Sequence, residues 1–224
     1  MAKIDVRGDI IGNDDKWLYD WYGFEATCPK DIVDTIESSK PGEEIEVYIN
    51  SGGGDIFAGQ EIYSVLRGKE NVTIIINSLA GSAAGVIAMA GKSKISPVAM
   101  IMVHNVSAYG VSGDYHSMDK YAEMLKTANA ALAAAFEQKT GMQQNEVLEM
   151  MDKETWIDAK TALSMGLVDE IIEEKVEFTN CLGSKITKEM RQQAVEEKNK
   201  IEASKRKKEE LKNEILGDLD LFGI

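Results

Sequence analysis

Two histidines occur in the 224 residues, His104 and His116, and one serine, Ser82, stands among neighbours too small to obstruct it. Ser82 lies in Leu79-Ala80-Gly81-Ser82-Ala83-Ala84-Gly85, which follows the apolar run Val72 to Ile76 and opens a small-residue segment reaching Ala90. A serine where strand gives way to helix is open to an approaching carbonyl, and the helix start sets unpaired N–H groups and a positive dipole beside the reacting oxygen. Ala83 N–H is the candidate donor to a developing oxyanion, an interaction worth about 2.7 to 4 kcal/mol when well aimed. His104 closes the apolar run Ala99 to Val103, a position from which an imidazole can face a cleft. As a general base it must reach the Ser82 hydroxyl and be mostly neutral near pH 7. His116, in the following loop, is the weaker candidate. An orienting acid completes such a set, and Asp152 and Glu154 both precede Trp156; spacing does not rank them.

The turn Asn50-Ser51-Gly52-Gly53-Gly54 is a second place where backbone amides can approach a ligand, because glycine adopts conformations other residues avoid. It is not a phosphate-binding P-loop, since no Gly-Lys-Ser/Thr follows at the required spacing. Each segment alone has a plainer reading: a tight helix contact for Ser82, an ordinary strand-to-helix turn for the glycines, a structural role for the histidine. Together they supply the nucleophile, base, acid and oxyanion donors of acyl transfer.

The elements that must bring these residues together can be read from periodicity. Ile4 to Ile11 reads as a short strand, and Trp17, Tyr19, Trp21, Tyr22 and Phe24 after it read as core or subunit-contact aromatics. Pro29 marks a helix start, and Ile32, Val33 and Ile36 give that helix an apolar stripe ending near Ser39. Ile45, Val47 and Ile49 alternate as a strand into the glycine turn, and Ala58, Ile62, Val65 and Leu66 follow at helical spacing. Val72 to Ala90 repeats that unit. Gly110 and Gly113 punctuate a hairpin or loop, after which Tyr121, Met124, Leu125, Ala128, Leu132 and Phe136 predict a long helix over about 117–140 closed by Gly141. A shorter helix carries Val147, Leu148 and Met151; Asp158 caps another ending at Gly166, and Val168 to Ile172 is the last strand. Alternating strands and helices predict an α/β architecture with a parallel sheet.

Composition sets outer bounds. Cys28 and Cys181 are far apart and outside metal or redox spacing, which suggests no disulfide framework and no metal site and suits a reducing cytoplasm. The first residues lack an export-signal core, and the longest weakly polar run, Leu79 to Ala90, is shorter than the roughly 20 residues that cross a bilayer, so no membrane span is expected. The formal charge of -13 divides into about -14 before Gly183 and +1 after it. An acidic body disfavours nucleic-acid binding. The expected organisation is a catalytic domain over 1–182 and a charged C-terminal tail over 183–224, helical or disordered, ending in an apolar patch suited to a docking peptide.

Ile49 to Gly54 with Ala58-Gly59 and Ile62-Tyr63, then Ala80-Gly81-Ser82-Ala83-Ala84 through Ala90-Gly91, then Met100-Ile101-Met102-Val103-His104, resemble in order the three blocks of the Clp protease proteolytic-subunit family. Tyr121 to Met151 resembles its long handle helix, and Trp156 to Ile172 its closing segment, so the resemblance spans roughly Ile45 to Ile172. It implies a crotonase-like fold of repeated strand-strand-helix units and no cofactor. Carried over by position, it makes Ser82 the nucleophile, His104 the base and the amides of Gly54 and Ala83 the oxyanion hole, with Gly53 beside it. The family's aspartate falls on Glu154, a longer acid, with Asp152 the alternative; Gly52 stands where the family has proline, and Ala84 where it commonly has glycine. The resemblance also implies homo-oligomeric rings, heptameric among the options, and an ATP-driven AAA+ unfoldase partner. The unmatched N-terminal segment and the charged tail look closer to phage and prophage relatives that process capsid or scaffold proteins. Two other readings share these features: an assembly protein whose catalytic site is vestigial, and an acyl-CoA hydratase or hydrolase on the same scaffold.

Overall fold

In the computed structural model, β1 (Ala2–Ile10) lies between β2 (Ala26–Thr27) and β3 (Ile45–Gly54), and β3 lies against β4 (Val72–Gly81), all parallel. The structure describes residues 1–172 and, beyond them, only Glu196, Asn199, Lys200 and Lys207, which are exposed. The expected boundary between residues 182 and 183 and the apolar end of the tail lie outside the described residues.

β4 is the hinge of the sheet. Thr73 to Ile76 pair with β5 (Lys92–Ile95), whereas Leu79 to Gly81 pair with β6 (Met100–Val103), so the strand changes neighbours just before Ser82. Beyond β5 lies β8 (Glu170–Ile171), again parallel. The exception is β7 (Thr155–Asp158), antiparallel to β6. The periodicity did not expose β5 or this pairing, because four-residue strands carry too few alternations to show a period. It also stopped β3 and β4 short: both continue through the glycine-bearing segments to Gly54 and Gly81, with a register shift between Ile49 and Ser51.

Helices cover the sheet for reasons visible in their sequences. α3 (Ile56–Leu66) buries Ala58, Gly59, Ile62 and Leu66, and its N-terminus is capped by Asp55, which accepts from Ala58 N–H at 2.8 Å. α4 (Ala83–Ala88) is apolar on every side and wholly buried. The two helices touch so closely that a Cβ on Gly59 would lie 2.9 Å from that of Ala83. α2 (Pro29–Ser38) starts at the expected proline. Val6, Ile32, Val47, Ile49, Ile62, Ile74, Ile76 and Ile87 are completely buried, each such side chain contributing about 1.5–3 kcal/mol through transfer from water.

The aromatics after β1 behave otherwise than core residues. They lie on or next to α1 (Lys16–Tyr22), which buries no residue, and Trp17 is 67% exposed. Tyr22 and Phe24 stack on each other, with ring centroids 6.1 Å apart. Past residue 104 the chain has neither helix nor strand until α5 (Tyr115–Thr140), the long helix, which closes on Gly141 in the left-handed conformation, φ 76°. α6 (Gln144–Asp152) and α7 (Ala159–Ser164) flank β7, and Asp158 caps α7 by accepting from Thr161 N–H at 2.7 Å.

Candidate active site

Ser82 joins β4 to α4 in a conformation side chains avoid, φ 52° and ψ -122°. Only Ser82 and Glu154 among the described non-glycine residues have positive φ. Such backbone costs about 1–3 kcal/mol and survives where the surroundings enforce it. Here they do: Ser82 N–H donates to the Met102 carbonyl on β6 at 2.9 Å, and the Ser82 carbonyl accepts from Val86 N–H in α4. The nucleophile candidate is thus bolted to the strand that carries the base candidate. His104 follows β6 directly, and its Nε2 lies 2.8 Å from Ser82 Oγ.

The glycine turn is the third wall. Gly53, at φ 101°, faces Ser82 so closely that a Cβ there would lie 2.6 Å from Ser82 Cβ and 2.9 Å from Ala83 N. Its own N–H donates to Ser51 Oγ at 3.1 Å, and that hydroxyl donates to the Gly8 carbonyl at 2.6 Å, fastening the turn to β1. Gly54 backs onto β1, where a Cβ would fall 2.2 Å from the Ile10 carbonyl oxygen. Asp55 N–H takes that carbonyl at 2.8 Å, so in the parallel register the bond to Ile10 belongs to the neighbour of Gly54, and the Gly54 amide is not spent on it. Ala83 is the first residue of α4, where helix geometry provides no partner for its N–H.

The two acids are placed differently. Val103 pairs with Thr155 at the end of the antiparallel β6–β7 ladder, so His104 and Glu154 both lie just beyond that end. Glu154 is exposed, at φ 46°, and its side chain makes no hydrogen bond among the described residues. The Asp152 carboxylate accepts from Asn105 Nδ2 at 2.8 Å. Neither acid bonds the imidazole, whose hydrogen-bond partner among the described residues is Ser82. His116 lies in the first turn of α5, its ring tilted at 34° to that of Tyr115 with centroids 3.9 Å apart, and it has no hydrogen bond to Ser82, His104 or either acid among the described residues.

Beside the pair opens a pocket whose wall is apolar: Ile56, Val86, Val106, Leu132, Phe136 and Met151 line it together with Ser82 and His104. Leu132 and Phe136 could be anticipated from the stripe on α5. Ile56 and Val106 could not, because their meeting depends on how the start of α3 and the segment after His104 come together over the sheet.

A family model described as Clp protease matches residues 29–175. The ATP-dependent Clp protease proteolytic subunit of Deinococcus radiodurans is 31% identical over 143 residues, which is 62% of this chain and 70% of that relative. Subunit 1 of Streptomyces coelicolor is 34% identical over 139 residues, 60% of this chain and 63% of the relative, so the chain spans just under two thirds of its length. Subunit 1 of Chlamydia muridarum is 28% identical over 142 residues, 61% of this chain and 74% of the relative.

Proposed function

The chain belongs to the Clp protease family, and we propose that it is a serine endopeptidase in which Ser82 is the nucleophile and His104 the general base. The 2.8 Å approach of His104 Nε2 to Ser82 Oγ carries this reading. With the ring proton on Nδ1, Nε2 accepts the hydroxyl hydrogen as Oγ adds to the scissile carbonyl carbon. The carbonyl π electrons move to oxygen, where the amides of Gly54 and Ala83 receive the charge, with Gly53 shaping the floor beside them. Collapse breaks the C–N bond, His104 returns the proton to the departing amine, and a serine ester remains. Water then repeats the sequence, with His104 taking its proton, and frees Ser82 and the acid product.

Glu154 is the third member in this reading. Its place beside His104 at the end of the β6–β7 ladder and the strained backbone it tolerates both support it over Asp152, whose carboxylate is engaged by Asn105. The apolar lining beside Ser82 and His104 supports a preference for apolar over charged substrate groups near the cleaved bond.

The relatives are named as subunits of ATP-dependent proteases. By analogy we read the chain as a ring-forming homo-oligomer; the likeness to these relatives supports an AAA+ unfoldase partner, whereas the unmatched N-terminal segment and charged tail support processing of phage capsid or scaffold proteins without one. Val98, Met100 and Trp156, all exposed on or next to the β6–β7 pair, offer a surface for a neighbouring subunit.

A fluorophosphonate probe tests the chemistry. It is expected to label the wild-type protein, to label Ser82→Ala not at all, and to label His104→Ala at a strongly reduced rate. A folded wild-type protein that never reacts defeats the proposal.

A further inference from the structure

Directly after His104 the chain depends on a side chain for its anchorage. Residues 104–114 contain no helix or strand, and no backbone–backbone hydrogen bond among the described residues holds 106–113. The Val106 N–H donates instead to Asn129 Oδ1 on α5 at 2.8 Å. Asn129 Nδ2 donates to Asn105 Oδ1 at 2.8 Å, and Asn105 Nδ2 donates to Asp152 Oδ1 at 2.8 Å. Three bonds thus run from the long helix, through the residue adjoining the imidazole, to the end of α6.

The direction of this chain is not arbitrary. An amide side chain can be turned either way, but a backbone N–H can only donate and an ionised carboxylate can only accept. With those groups at the two ends, Asn129 must accept from Val106 and give to Asn105, and Asn105 must give to Asp152. Turning either amide would set oxygen against oxygen or hydrogen against hydrogen.

We infer that Asn129, Asn105 and Asp152 form a polarised relay that positions His104 against Ser82, with Asn129 as the positioning residue on α5 and Asp152 as the relay's anchor. The inference rests on the reading of Ser82 and His104 as nucleophile and base. Asn105 adjoins His104, so holding its side chain at both ends limits where the imidazole can swing. Val106 also lines the apolar pocket beside Ser82, so the same Asn129 amide fixes one wall of the substrate site. A shift of the base by 1 Å, from a change remote from the chemistry, can cost about 100-fold in rate.

A polarity swap tests it on the full-length protein, read both by hydrolysis of a short fluorogenic peptide and by the rate of fluorophosphonate labelling. Asn129→Asp keeps the acceptor for Val106 but removes the donor to Asn105, leaving one amide between two carboxylates. It is expected to lower kcat and labelling rate about tenfold or more through misplacement of the base, with KM changed less than about twofold. Adding Asp152→Asn restores every bond in reverse: the amide introduced at position 152 gives to Asn105 Oδ1, and Asn105 Nδ2 gives to the carboxylate introduced at position 129. The double variant is expected to recover most of the lost rate. A purely structural defect at Asn129 would not be repaired by a change on another helix.

Asp152→Asn alone keeps an acceptor oxygen for Asn105, so its loss is expected to stay far below the about 10,000-fold that follows when an imidazole-orienting carboxylate becomes an amide. A loss of that size makes Asp152 the partner of the imidazole and overturns the relay. So does a fully active Asn129→Asp, or a double variant no better than Asn129→Asp. Should Asn129→Asp fail to fold, Asp152→Ala, which removes the anchor's oxygens, is expected to lose more rate than Asp152→Asn, and equal losses overturn the relay. Ser82→Ala separates the two layers of argument: if it still hydrolyses peptide, the peptidase reading falls, whereas an inert Ser82→Ala beside a fully active Asn129→Asp defeats the relay only.

Discussion

At the scale of single residues, two strained positions belong to the proposed site. Ser82 is held at φ 52° by its bond to Met102 and by contact with Gly53, so the strain serves to present its hydroxyl. Gly53→Ala would drive a methyl to within 2.6 Å of Ser82 Cβ at a backbone angle L side chains avoid. We expect it to fold with a stability loss of about 1–3 kcal/mol, seen as a lowered melting temperature, and to lose most fluorophosphonate reactivity. Glu154 sits just past the end of α6 at φ 46°, where glycine is the easy choice. Glu154→Gly is therefore expected to stabilise the protein by roughly 1 kcal/mol while lowering kcat. A variant that is both more stable and fully active would make Glu154 a helix cap and nothing more.

At the scale of elements, the site depends on how α5 is pinned. Its far end is tied down by Lys139, whose ammonium donates to the Gly91 carbonyl at 2.9 Å and to Asp169 Oδ2 at 2.6 Å, while Ser93 N–H donates to the same carboxylate at 2.7 Å. Burial pushes the Asp169 carboxyl up, but the Lys139 ammonium and the Ser93 bonds outweigh it and hold it below the usual range. A carboxylate depressed in the folded state stabilises the fold above its unfolded pKa, about 3.9, and loses that contribution as pH falls through the lower folded value. Melting temperature measured from neutral pH down into acid should fall below about pH 4 in the wild type. Asp169→Asn is expected to melt lower at neutral pH and to show a shallower acid limb; an unchanged limb would mean the contact does not secure the helix.

At the scale of the whole molecule, the exposed apolar edge is the feature a single chain leaves unexplained. Trp156 is 52% exposed and Met100 42%, diagonal to each other across the antiparallel pair. Trp156→Lys is expected to reduce the mass found by light scattering to a smaller species, and a mass equal to that of the wild type would remove this edge from any subunit contact. No described helix is long and apolar enough to cross a membrane.

What could be read in the order of residues was whatever depends on local periodicity and local chemistry. The amphipathic stripe of α5, its stop at Gly141, the helix start at Pro29, the cap at Asp158, the repeated strand-turn-helix units and the family resemblance built on the Ser82 and His104 blocks all lie within short windows. The exposed setting of α1 was not legible, because aromatic residues look the same whether a core or the surface receives them. Nor was the antiparallel β7, whose four residues owe their strand geometry to β6. Only the tertiary structure decided that Asp152 faces Asn105, that Glu154 and His104 lie beyond the same end of the β6–β7 ladder, and that Asn129 reaches a backbone N–H 23 residues away in the chain. The physical reason is directional: hydrogen bonds require particular atoms at about 2.8 Å in a fixed orientation, and between residues distant in the chain that is set by how packed elements meet.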